Sequence, residues 1–261
     1  MAQTDTATHI TRINDNYQTI ETPYGLFLHN RHDYGYPWSN GDPNFTEIEF
    51  LLQFVHGTVI DVGANIGTHT IPYARAADVV YAFEPQKDCY NLLCANLVLN
   101  GIRNVETINA GLGAITCAMP MLSYDPGGVH SAAGLMVGVD ESNVVFVDTT
   151  ETNTLGSYSV GVAPLDMFGI KDVSFIKIDV EGFELEVLKG AVETIKESRP
   201  IIFVEVHAGV PVEDVCSILD TYRGNRAFTQ MILNPWAPHK LMRAQESWLF
   251  LPCEIVGYFK S

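Results

Sequence analysis

The feature that most constrains the fold is a strand, a glycine turn and a helix start within Val59–Gly67 (VIDVGANIG). The apolar run predicts a buried strand, and Gly63 and Gly67 let the backbone turn sharply into a helix. A ligand can approach bare peptide N–H groups at such a helix start. We therefore expect Gly63, Ala64, Asn65 and Gly67 to form one wall of a ligand site.

Two side chains of this turn narrow the choice of ligand. Asn65 stands where a dinucleotide fingerprint, G-x-G-x-x-G, has its second glycine, a position that must be small beneath a pyrophosphate. Asp61 ends the strand, where a carboxylate would repel a pyrophosphate and would suit a ligand with cationic groups. The turn therefore disfavours a dinucleotide. A tight structural turn capped by Asp61 is the alternative.

An acidic residue ends the next predicted strand. Glu84 follows Gly67 by seventeen residues and lies within Tyr81–Pro85 (YAFEP), where Pro85 is typical of a helix start. In doubly wound sheets, a carboxylate at this position can accept hydrogen bonds from both hydroxyls of a ribose. Alone, Glu84 would fit helix capping equally well, but its distance from the glycine turn favours a nucleoside site.

Strand-like and helix-like segments alternate along most of the chain, which predicts a doubly wound α/β fold. The sheet should be mainly parallel and covered by helices on both faces. The predicted strands are Tyr24–Asn30, Thr58–Val62, Val79–Phe83, Val105–Asn109, Phe175–Val180 and Ile201–His207, with a C-terminal antiparallel hairpin of Phe228–Leu233 and Trp248–Leu251. The predicted helices are Thr46–Val55, Thr68–Ala77, Pro85–Leu99, Glu184–Glu197 and Val212–Tyr222.

The domain organisation is one α/β domain over residues 46–261, preceded by a lead-in with a short strand over residues 1–45. Ala114–Ala163 interrupts the strand–helix rhythm with scattered glycines and one strand-like run, Asn143–Val147. Stretches of this length inside a domain are usually functional or carry their own small structure. We expect an insertion over the carboxyl ends of the strands, where ligands bind in such folds.

The bulk composition excludes some partners. With 31 acidic and 15 basic side chains and no run of Lys or Arg, no nucleic-acid substrate is expected. Five cysteines without a CxxC pair predict free thiols in a reducing compartment. No stretch approaches the ~18 apolar residues that span a bilayer, and the N-terminus lacks an apolar signal segment. We expect a cytoplasmic protein without membrane insertion, for which a dimer is possible.

Two later strands end in titratable side chains. Lys177 and Asp179 share one face of their strand, as do Glu205 and His207 of the next. If these strands are neighbours, we expect Lys177 to form a buried pair with Glu205, while Asp179 and His207 reach the open rim. His207 can then take a proton from a hydroxyl, with Asp179 orienting it or holding the substrate. The alternative is a divalent-metal site of Asp179, Glu181, Glu205 or His207.

Together these blocks resemble the FkbM-type methyltransferases, a branch of the class I, Rossmann-like methyltransferases that use S-adenosylmethionine. The resemblance covers about Glu47 to His207, and Asp179–Gly190 is its most diagnostic part. The matching segments are Asp61–Gly67, Phe83–Pro85, Asn100–Val105, Ala110–Gly113, Leu165–Asp166, Ile176–Glu184, Leu188–Gly190 and Pro200–Glu205.

The resemblance implies S-adenosylmethionine as the methyl donor, with Ala110–Gly113 near its adenine. The residues that it implies for holding the donor are Asp61, Gly63, Asn65, Gly67 and Glu84. It also implies O-methylation of a small-molecule or glycan acceptor, such as a sugar or secondary-metabolite hydroxyl. His69 stands near the place of the family's usual aromatic residue after the glycine turn, so we expect the cofactor rim to differ there.

The predicted mechanism is an in-line transfer in which the protein aligns donor and acceptor, His207 removes the hydroxyl proton and Asp179 orients it. No resident metal is assigned. The alternatives that remain are a metal-dependent O-methyltransferase, a nicotinamide-dependent oxidoreductase, which Asn65 disfavours, and a non-catalytic nucleoside-binding module.

Overall fold

The computed structural model describes residues 10–33, 45–124, 137–139, 144–146, 154–207, 210–234 and 237–253. The strands in this part of the chain are β1 (Ile10–Arg12), β2 (Tyr17–Thr22), β3 (Gly25–Asn30), β4 (Thr58–Val62), β5 (Val79–Phe83), β6 (Val105–Ile108), β7 (Gly111–Leu112), β8 (Cys117–Tyr124), β9 (Val137–Val139), β10 (Val144–Phe146), β11 (Thr154–Ala163), β12 (Val173–Ile178), β13 (Ile201–His207), β14 (Tyr222–Asn234) and β15 (Ala237–Pro252). The helices are α1 (Phe45–Leu51), α2 (Thr70–Ala76), α3 (Lys87–Leu99), α4 (Glu184–Lys189), α5 (Val192–Ser198) and α6 (Val212–Ile218), and a 3₁₀ helix covers Leu165–Phe168.

Within the described residues, seven strands form the central sheet in the order β14-β15-β13-β12-β4-β5-β6. The strands from β13 to β6 pair in parallel, whereas β15 runs antiparallel to both β13 and β14. The chain starts this sheet at β4, adds β5 and β6 on one side, and later adds β12 and β13 on the other. The predicted doubly wound fold with its C-terminal hairpin is confirmed. Ligands bind in such sheets at the carboxyl ends of the strands where the order reverses, which here is beside β4.

Apolar side chains cover both faces of this sheet. Ile60 and Ile176 are paired across β4 and β12 and belong to the core that includes α4, α5 and α6. Their chain neighbours Val59 and Phe175 point to the opposite face, because side chains alternate along a strand. There they pack with Tyr73 of α2 and with α1. Burial of each large apolar side chain contributes roughly 1.5–3 kcal/mol.

A small antiparallel sheet of β1, β2 and β3 precedes the α/β units, where the sequence predicted a lead-in with one strand. Asn96 of α3 and Asn100, directly after this helix, bind the free edge of β3 through its backbone. Asn96 accepts from Leu28 N at 2.7 Å and donates to Leu28 O at 3.1 Å, and Asn100 makes the same pair of bonds with Leu26. Asn96 also donates to Ile66 O at 2.9 Å, so it joins this sheet to the glycine turn. The domain boundary at residue 46 stays a prediction.

Helix boundaries show where tertiary packing overrides local pattern. The ends of α2 and α3 lie within two residues of the predicted ones. The single helix predicted over Glu184–Glu197 is corrected to two helices, α4 and α5, which separate at Gly190. A Cβ on Gly190 would lie 2.1 Å from the carbonyl oxygen of Gly113, so the chain leaves the helix where its backbone contacts another segment. Two other helices end earlier than predicted, α1 at Leu51 instead of Val55 and α6 at Ile218 instead of Tyr222.

The predicted insertion, Ala114–Ala163, forms a further sheet together with β7, which precedes it. In it β8 pairs antiparallel with β11, which in turn pairs parallel with β7. β9 and β10 form a separate antiparallel pair. The predicted strand Asn143–Val147 corresponds to β10, and its two end residues lie outside the described part of the chain.

Two bulk predictions concern cysteines and membranes. All five cysteines are free thiols, and Cys89 is buried in α3. Among the described residues, no helix has the length and apolarity that crossing a bilayer would require.

Candidate active site

The glycine turn after β4 is closed by hydrogen bonds of the protein itself. Gly63 has φ +79°, and a Cβ there would lie 1.8 Å from the carbonyl oxygen of Asp179, so only glycine fits this crossing. The N–H groups of Gly63 and Ala64 both donate to Phe83 O at 3.0 Å, and that of Gly67 donates to Ala64 O at 2.9 Å. These N–H groups are therefore not bare, which corrects that expectation. The turn offers a ligand the side chain of Asn65.

Glu84 and Asn65 connect the carboxyl ends of β5 and β4. The Glu84 carboxylate accepts hydrogen bonds from Asn65 N at 2.8 Å and Gln86 N at 2.7 Å. Burial raises the pKa of Glu84 to about 7, although these two bonds act in the opposite direction. Asn65 adopts a left-handed φ of 51°, and its Oδ1 is buried without a hydrogen-bond partner in the part of the chain that the structure describes. That oxygen is an acceptor in need of a donor.

An apolar cleft of about 460 Å³ opens beside this turn. The predicted residues Gly63 and Ala110 line it, and the insertion contributes Met119, Met121 and Val160. Sequence reasoning missed the methionines because only the pairing of β8 with β11 brings them to the cleft.

The insertion is held against the central sheet at two points. Lys87 N, at the start of α3, donates to the hydroxyl of Tyr158 at 2.8 Å. A Cβ on Gly113 would lie 2.9 Å from Val162 and 3.0 Å from Phe183, so glycine allows the close approach. The cleft is thus bounded by the central sheet on one side and by the insertion on the other.

A buried polar cluster centred on Lys177 lies on the other side of Gly63. The Lys177 Nζ is 3.1 Å from Asp179 Oδ2, 3.6 Å from Asp61 Oδ1 and 3.4 Å from Gly63 O. Burial disfavours the ammonium, but Asp179 and Asp61 outweigh it and raise the pKa of Lys177. Asp61 is fully buried and also accepts from Thr70 Oγ1 at 2.6 Å. A lysine therefore already balances its carboxylate, and its predicted contact with a cofactor stays a prediction.

The closest acidic partners of Lys177 are Asp179 and Asp61 instead of the predicted Glu205, which raises the pKa of Lys177 from farther away, and the strand register explains why. Lys177 lies opposite Asp61 in β4 and Phe203 in β13. Glu205 is therefore level with Asp179, the residue directly after β12, and these two carboxyl groups are hydrogen-bonded to each other.

The pKa values of the two carboxyl groups shift in opposite directions. Burial and the neighbouring Asp179 raise the pKa of Glu205 well above its usual value. Burial would also raise the pKa of Asp179, but Lys177 and the hydrogen bond from Glu205 lower it. Asp179 is thus a carboxylate, and 26% of its side chain is exposed.

The turn after β12 contains strained backbone. Glu181 has φ 52°, a left-handed conformation that costs roughly 1–2 kcal/mol for such a residue. Burial and the charges of Asp179 and Glu184 raise the pKa of Glu181 to about 8. Burial raises the pKa of Glu184 to about 7, although its Oε1 accepts from Gly182 N at 2.8 Å. Strained residues gather at functional sites, and Glu181 joins Asn65 at the ends of adjacent strands.

His207 is the last residue of β13 and lies level with Gln245 of β15. Its side chain falls outside the described residues, so its role as a base stays a prediction. Among the side chains that the structure does describe, no three of His, Cys, Asp and Glu are grouped to hold a metal ion.

A histidine–glutamate pair lies near the same edge of the sheet. His69 precedes α2, and its Nε2 is 3.3 Å from Glu47 Oε1 of α1. Its ring centroid lies 5.7 Å from that of Tyr73. Burial raises the pKa of Tyr73, as do the nearby carboxylates of Asp61, Glu47 and Asp179. No local signal singled out Glu47 or Tyr73, since only the packing of α1 against α2 brings them to the site.

A doubly wound sheet with an apolar cleft and a carboxyl cluster at its switch point defines a Rossmann-like domain that binds a nucleoside ligand. The family described as Methyltransferase FkbM domain matches residues 61–227. The chain therefore belongs to the FkbM family of class I S-adenosylmethionine-dependent methyltransferases, which confirms the resemblance of its motifs.

Several known proteins are similar to this chain. Hexuronic acid methyltransferase AglP of Haloferax volcanii is 30% identical over 175 residues, which are 66% of this chain and 64% of that protein. Methyltransferase sdnD of Sordaria araneosa is 28% identical over 162 residues, or 52% of this chain and 60% of that protein. The chain thus spans less than two thirds of the length of these relatives.

The fold of this chain is similar to that of a solved structure. M. jannaschii TYW2 in complex with AdoMet is 18% identical, with a TM-score of 0.50 over 94% of this chain and 90% of that one. At that identity the likeness concerns the fold alone.

Proposed function

We propose that this chain transfers a methyl group from S-adenosylmethionine to a hydroxyl oxygen of a small acceptor, with a sugar hydroxyl as the first candidate. One observation carries the proposal: the apolar cleft and the carboxyl cluster meet at Gly63, at the switch point of the sheet. Family membership supports the methyl donor. The similarity to the hexuronic acid methyltransferase of Haloferax volcanii supports a sugar acid as acceptor.

The residues of the turn and the cleft fit this cofactor. The apolar lining at Ala110 suits a nucleobase, and the orphaned Oδ1 of Asn65 is an acceptor for a hydroxyl or ammonium group. Glu84 keeps lone pairs beyond its two backbone bonds, so it can accept from a ribose hydroxyl. When bound, S-adenosylmethionine supplies an electrophilic methyl group. Asp61 supports the site through Lys177.

Gly67 and Ala64 give shape to the turn. Gly67 has φ +94°, and a Cβ there would lie 2.9 Å from Leu93. Ala64 is buried and ties the turn to Phe83 O. In this proposal both residues hold the backbone against which the cofactor rests.

The acceptor side of the proposal centres on Asp179. Its carboxylate is held by Lys177 and Glu205 and stays partly exposed, so it can accept a hydrogen bond from the hydroxyl to be methylated. A histidine at this edge of the sheet takes the proton, and the sequence predicts His207, the last residue of β13, for that role. The protein's main contribution is alignment of the two reactants. The free cysteines support a reducing, cytoplasmic setting.

Calorimetry and an isotopic assay test the proposal together. We expect S-adenosylmethionine and its demethylated product to bind, and Val162→Trp, which fills the cleft, to abolish binding. Ile115→Trp at an exposed position is the matched control. Transfer of a tritiated methyl group should label methyl β-D-glucuronide or methyl β-D-glucoside, and the pair separates acidic from neutral acceptors.

Three outcomes would contradict the proposal. Binding without transfer to any hydroxyl acceptor would favour a nucleoside-binding module. Binding of a reduced nicotinamide cofactor in place of S-adenosylmethionine would favour an oxidoreductase. Activity that chelation abolishes and a divalent metal restores would favour the metal-dependent alternative.

A further inference from the structure

His69 lies where α2 begins, beside the carboxyl cluster. Its side chain is 12% exposed and that of Glu47 is 17% exposed, so water screens their attraction only weakly. Burial would raise the pKa of Asp179, but Lys177, Glu205 and His69 together lower it. Thr70, the residue after His69, donates to Asp61 at 2.6 Å, and Lys177 connects Asp61 to Asp179, so the imidazole lies beside the carboxylate that we assign to the acceptor.

Glu47 is placed to orient the His69 ring. Its Oε1 lies 3.3 Å from Nε2, although the N–H is not aligned along a hydrogen bond. Catalytic hydrogen bonds are often loose before substrate binds and tighten in the complex. A carboxylate at Nε2 favours the tautomer with its proton on that nitrogen, which leaves Nδ1 as the basic one.

Tyr73 forms the backing of this pair. It lies one helical turn after His69, and the two rings are in contact. Its hydroxyl is buried and has no hydrogen-bond partner among the described residues. A rigid aromatic ring on one side and a carboxylate at Nε2 restrict the imidazole to a narrow range of orientations, as a positioned base requires.

Other described histidines lack this combination. His29 is buried in the N-terminal sheet, with its ring nitrogens near Gln18 and Asn30. His56 is exposed, and its Nδ1 lies 3.1 Å from Phe54 O. His69 differs because it is nearly buried and has a carboxylate partner at the carboxyl edge of the sheet.

We propose that His69, held by Glu47, takes the proton of the acceptor hydroxyl while Asp179 orients that hydroxyl. This rests on the proposed function and assigns the base to His69 instead of His207. The acceptor O–H bond breaks and its proton passes to Nδ1. The oxygen lone pair forms the new O–CH₃ bond, and the electron pair of the broken C–S bond returns to sulfur. Glu47 balances the imidazolium charge until the proton leaves to water.

Matched variants separate a base from a structural ion pair. We expect His69→Gln to lower kcat for transfer of the tritiated methyl group by about 100-fold or more. The acceptor is whichever of the two glycosides the wild-type chain methylates. The calorimetric Kd of His69→Gln for S-adenosylmethionine should stay near wild type. His56→Gln, at an exposed histidine, should match wild type in both.

The positioning role of Glu47 has a spectroscopic readout that does not depend on activity. ¹⁵N ring shifts of His69, assigned by comparison with His69→Gln, should show the Nε2–H tautomer in the wild-type chain. Glu47→Gln keeps an acceptor oxygen and should retain the tautomer, with kcat between wild type and His69→Gln. Glu47→Met removes the acceptor, so both the tautomer preference and kcat should be lost with KM little changed.

Each remaining result overturns the inference. A ring proton on Nδ1 in the wild-type chain removes the basic nitrogen that the mechanism needs. Loss of activity in His207→Gln with normal turnover in His69→Gln returns the role to His207. Loss of cofactor binding in His69→Gln makes the residue a cofactor ligand. If the wild-type chain methylates no hydroxyl, both the proposed function and the proposed base are refuted. This outcome differs from the others because the wild-type chain and all variants then have no methyl-transfer activity.

Discussion

Replacing Gly63 with alanine tests how tightly the glycine turn is packed. At φ +79°, alanine occupies the left-handed region at a cost of roughly 1–2 kcal/mol. Its Cβ would lie 1.8 Å from the backbone oxygen of Asp179, a separation that real atoms do not reach. Either the turn or the end of β12 must move, and such overpacking costs about 1–3 kcal/mol more. We therefore expect Gly63→Ala to lower the free energy of unfolding by about 2–5 kcal/mol.

Gly101→Ala is the matched control for the conformational part of this cost. Gly101 follows α3 with φ +65°, and no heavy atom lies within 4 Å of the position of its Cβ. Alanine there meets open space, so only the left-handed penalty of about 1–2 kcal/mol applies. The difference between the two variants measures the contact between Gly63 and Asp179.

Urea denaturation followed by far-ultraviolet circular dichroism gives both free energies, and calorimetry with S-adenosylmethionine gives the functional effect. Gly63 lines the cleft and Gly101 does not, so only Gly63→Ala should weaken cofactor binding. Losses of stability equal to within about 0.5 kcal/mol would refute the packing argument. Unimpaired binding by Gly63→Ala would refute the place of the turn in the cofactor site.

Other regions of the structure give three further predictions. Asn96→Ala leaves backbone groups of Leu28 and Ile66 unpaired, so it should lower the free energy of unfolding measured by urea denaturation by about 2–3 kcal/mol. A loss no larger than that of Asn91→Ala, at an exposed position of α3, would contradict this prediction. Lys177→Met leaves Asp61 and Asp179 uncompensated and should cost about 3–5 kcal/mol, whereas Lys171→Met, at an exposed pair with Glu197, should change the melting temperature little. The pKa of Glu184 is raised from 4.5 to about 7 in the folded chain, so its contribution to stability is complete below pH 4.5 and is lost as the pH rises through 7. Glu184→Gln keeps the neutral form and should reduce the fall in stability between pH 5 and pH 8 by at most about 3 kcal/mol. Other carboxyl groups with a raised pKa, which include Glu84, Glu181 and Glu205, contribute to the remaining fall. An unchanged fall in Glu184→Gln would contradict the assignment.

The βα units of the central sheet could be predicted from the sequence because their signals are local. The apolar runs before Gly63 and before Glu84 predicted two strands, and β5 begins and ends at the predicted residues. The insertion sheet could not be predicted in this way. Strand β8 contains Pro120, and β8 pairs with β11 across a long sequence separation, so neither composition nor periodicity marks their partnership.

In the candidate site too, some features have a local sequence signal and others depend on tertiary structure. The sequence identified Asp61, Lys177 and Asp179 individually, but only the register of β12 between β4 and β13 decides which of them meet. Glu47 is on a short helix with no local sign of chemistry. Its relation to His69 depends on how α1 packs against α2, which is a property of the tertiary structure.

The place of β15 in the sheet has a consequence for dissecting this protein. The family match ends at residue 227, yet β15 (Ala237–Pro252) lies between β13 and β14 in the middle of one half of the sheet. A fragment cut to residues 61–227 would expose the whole hydrogen-bonding edge of β13, which invites edge-to-edge aggregation. It would also leave the Asn96 amide without its partner strand β3. The unit that relatives share and the unit that folds therefore do not coincide, and expression of the shared segment alone should yield aggregates instead of a minimal enzyme.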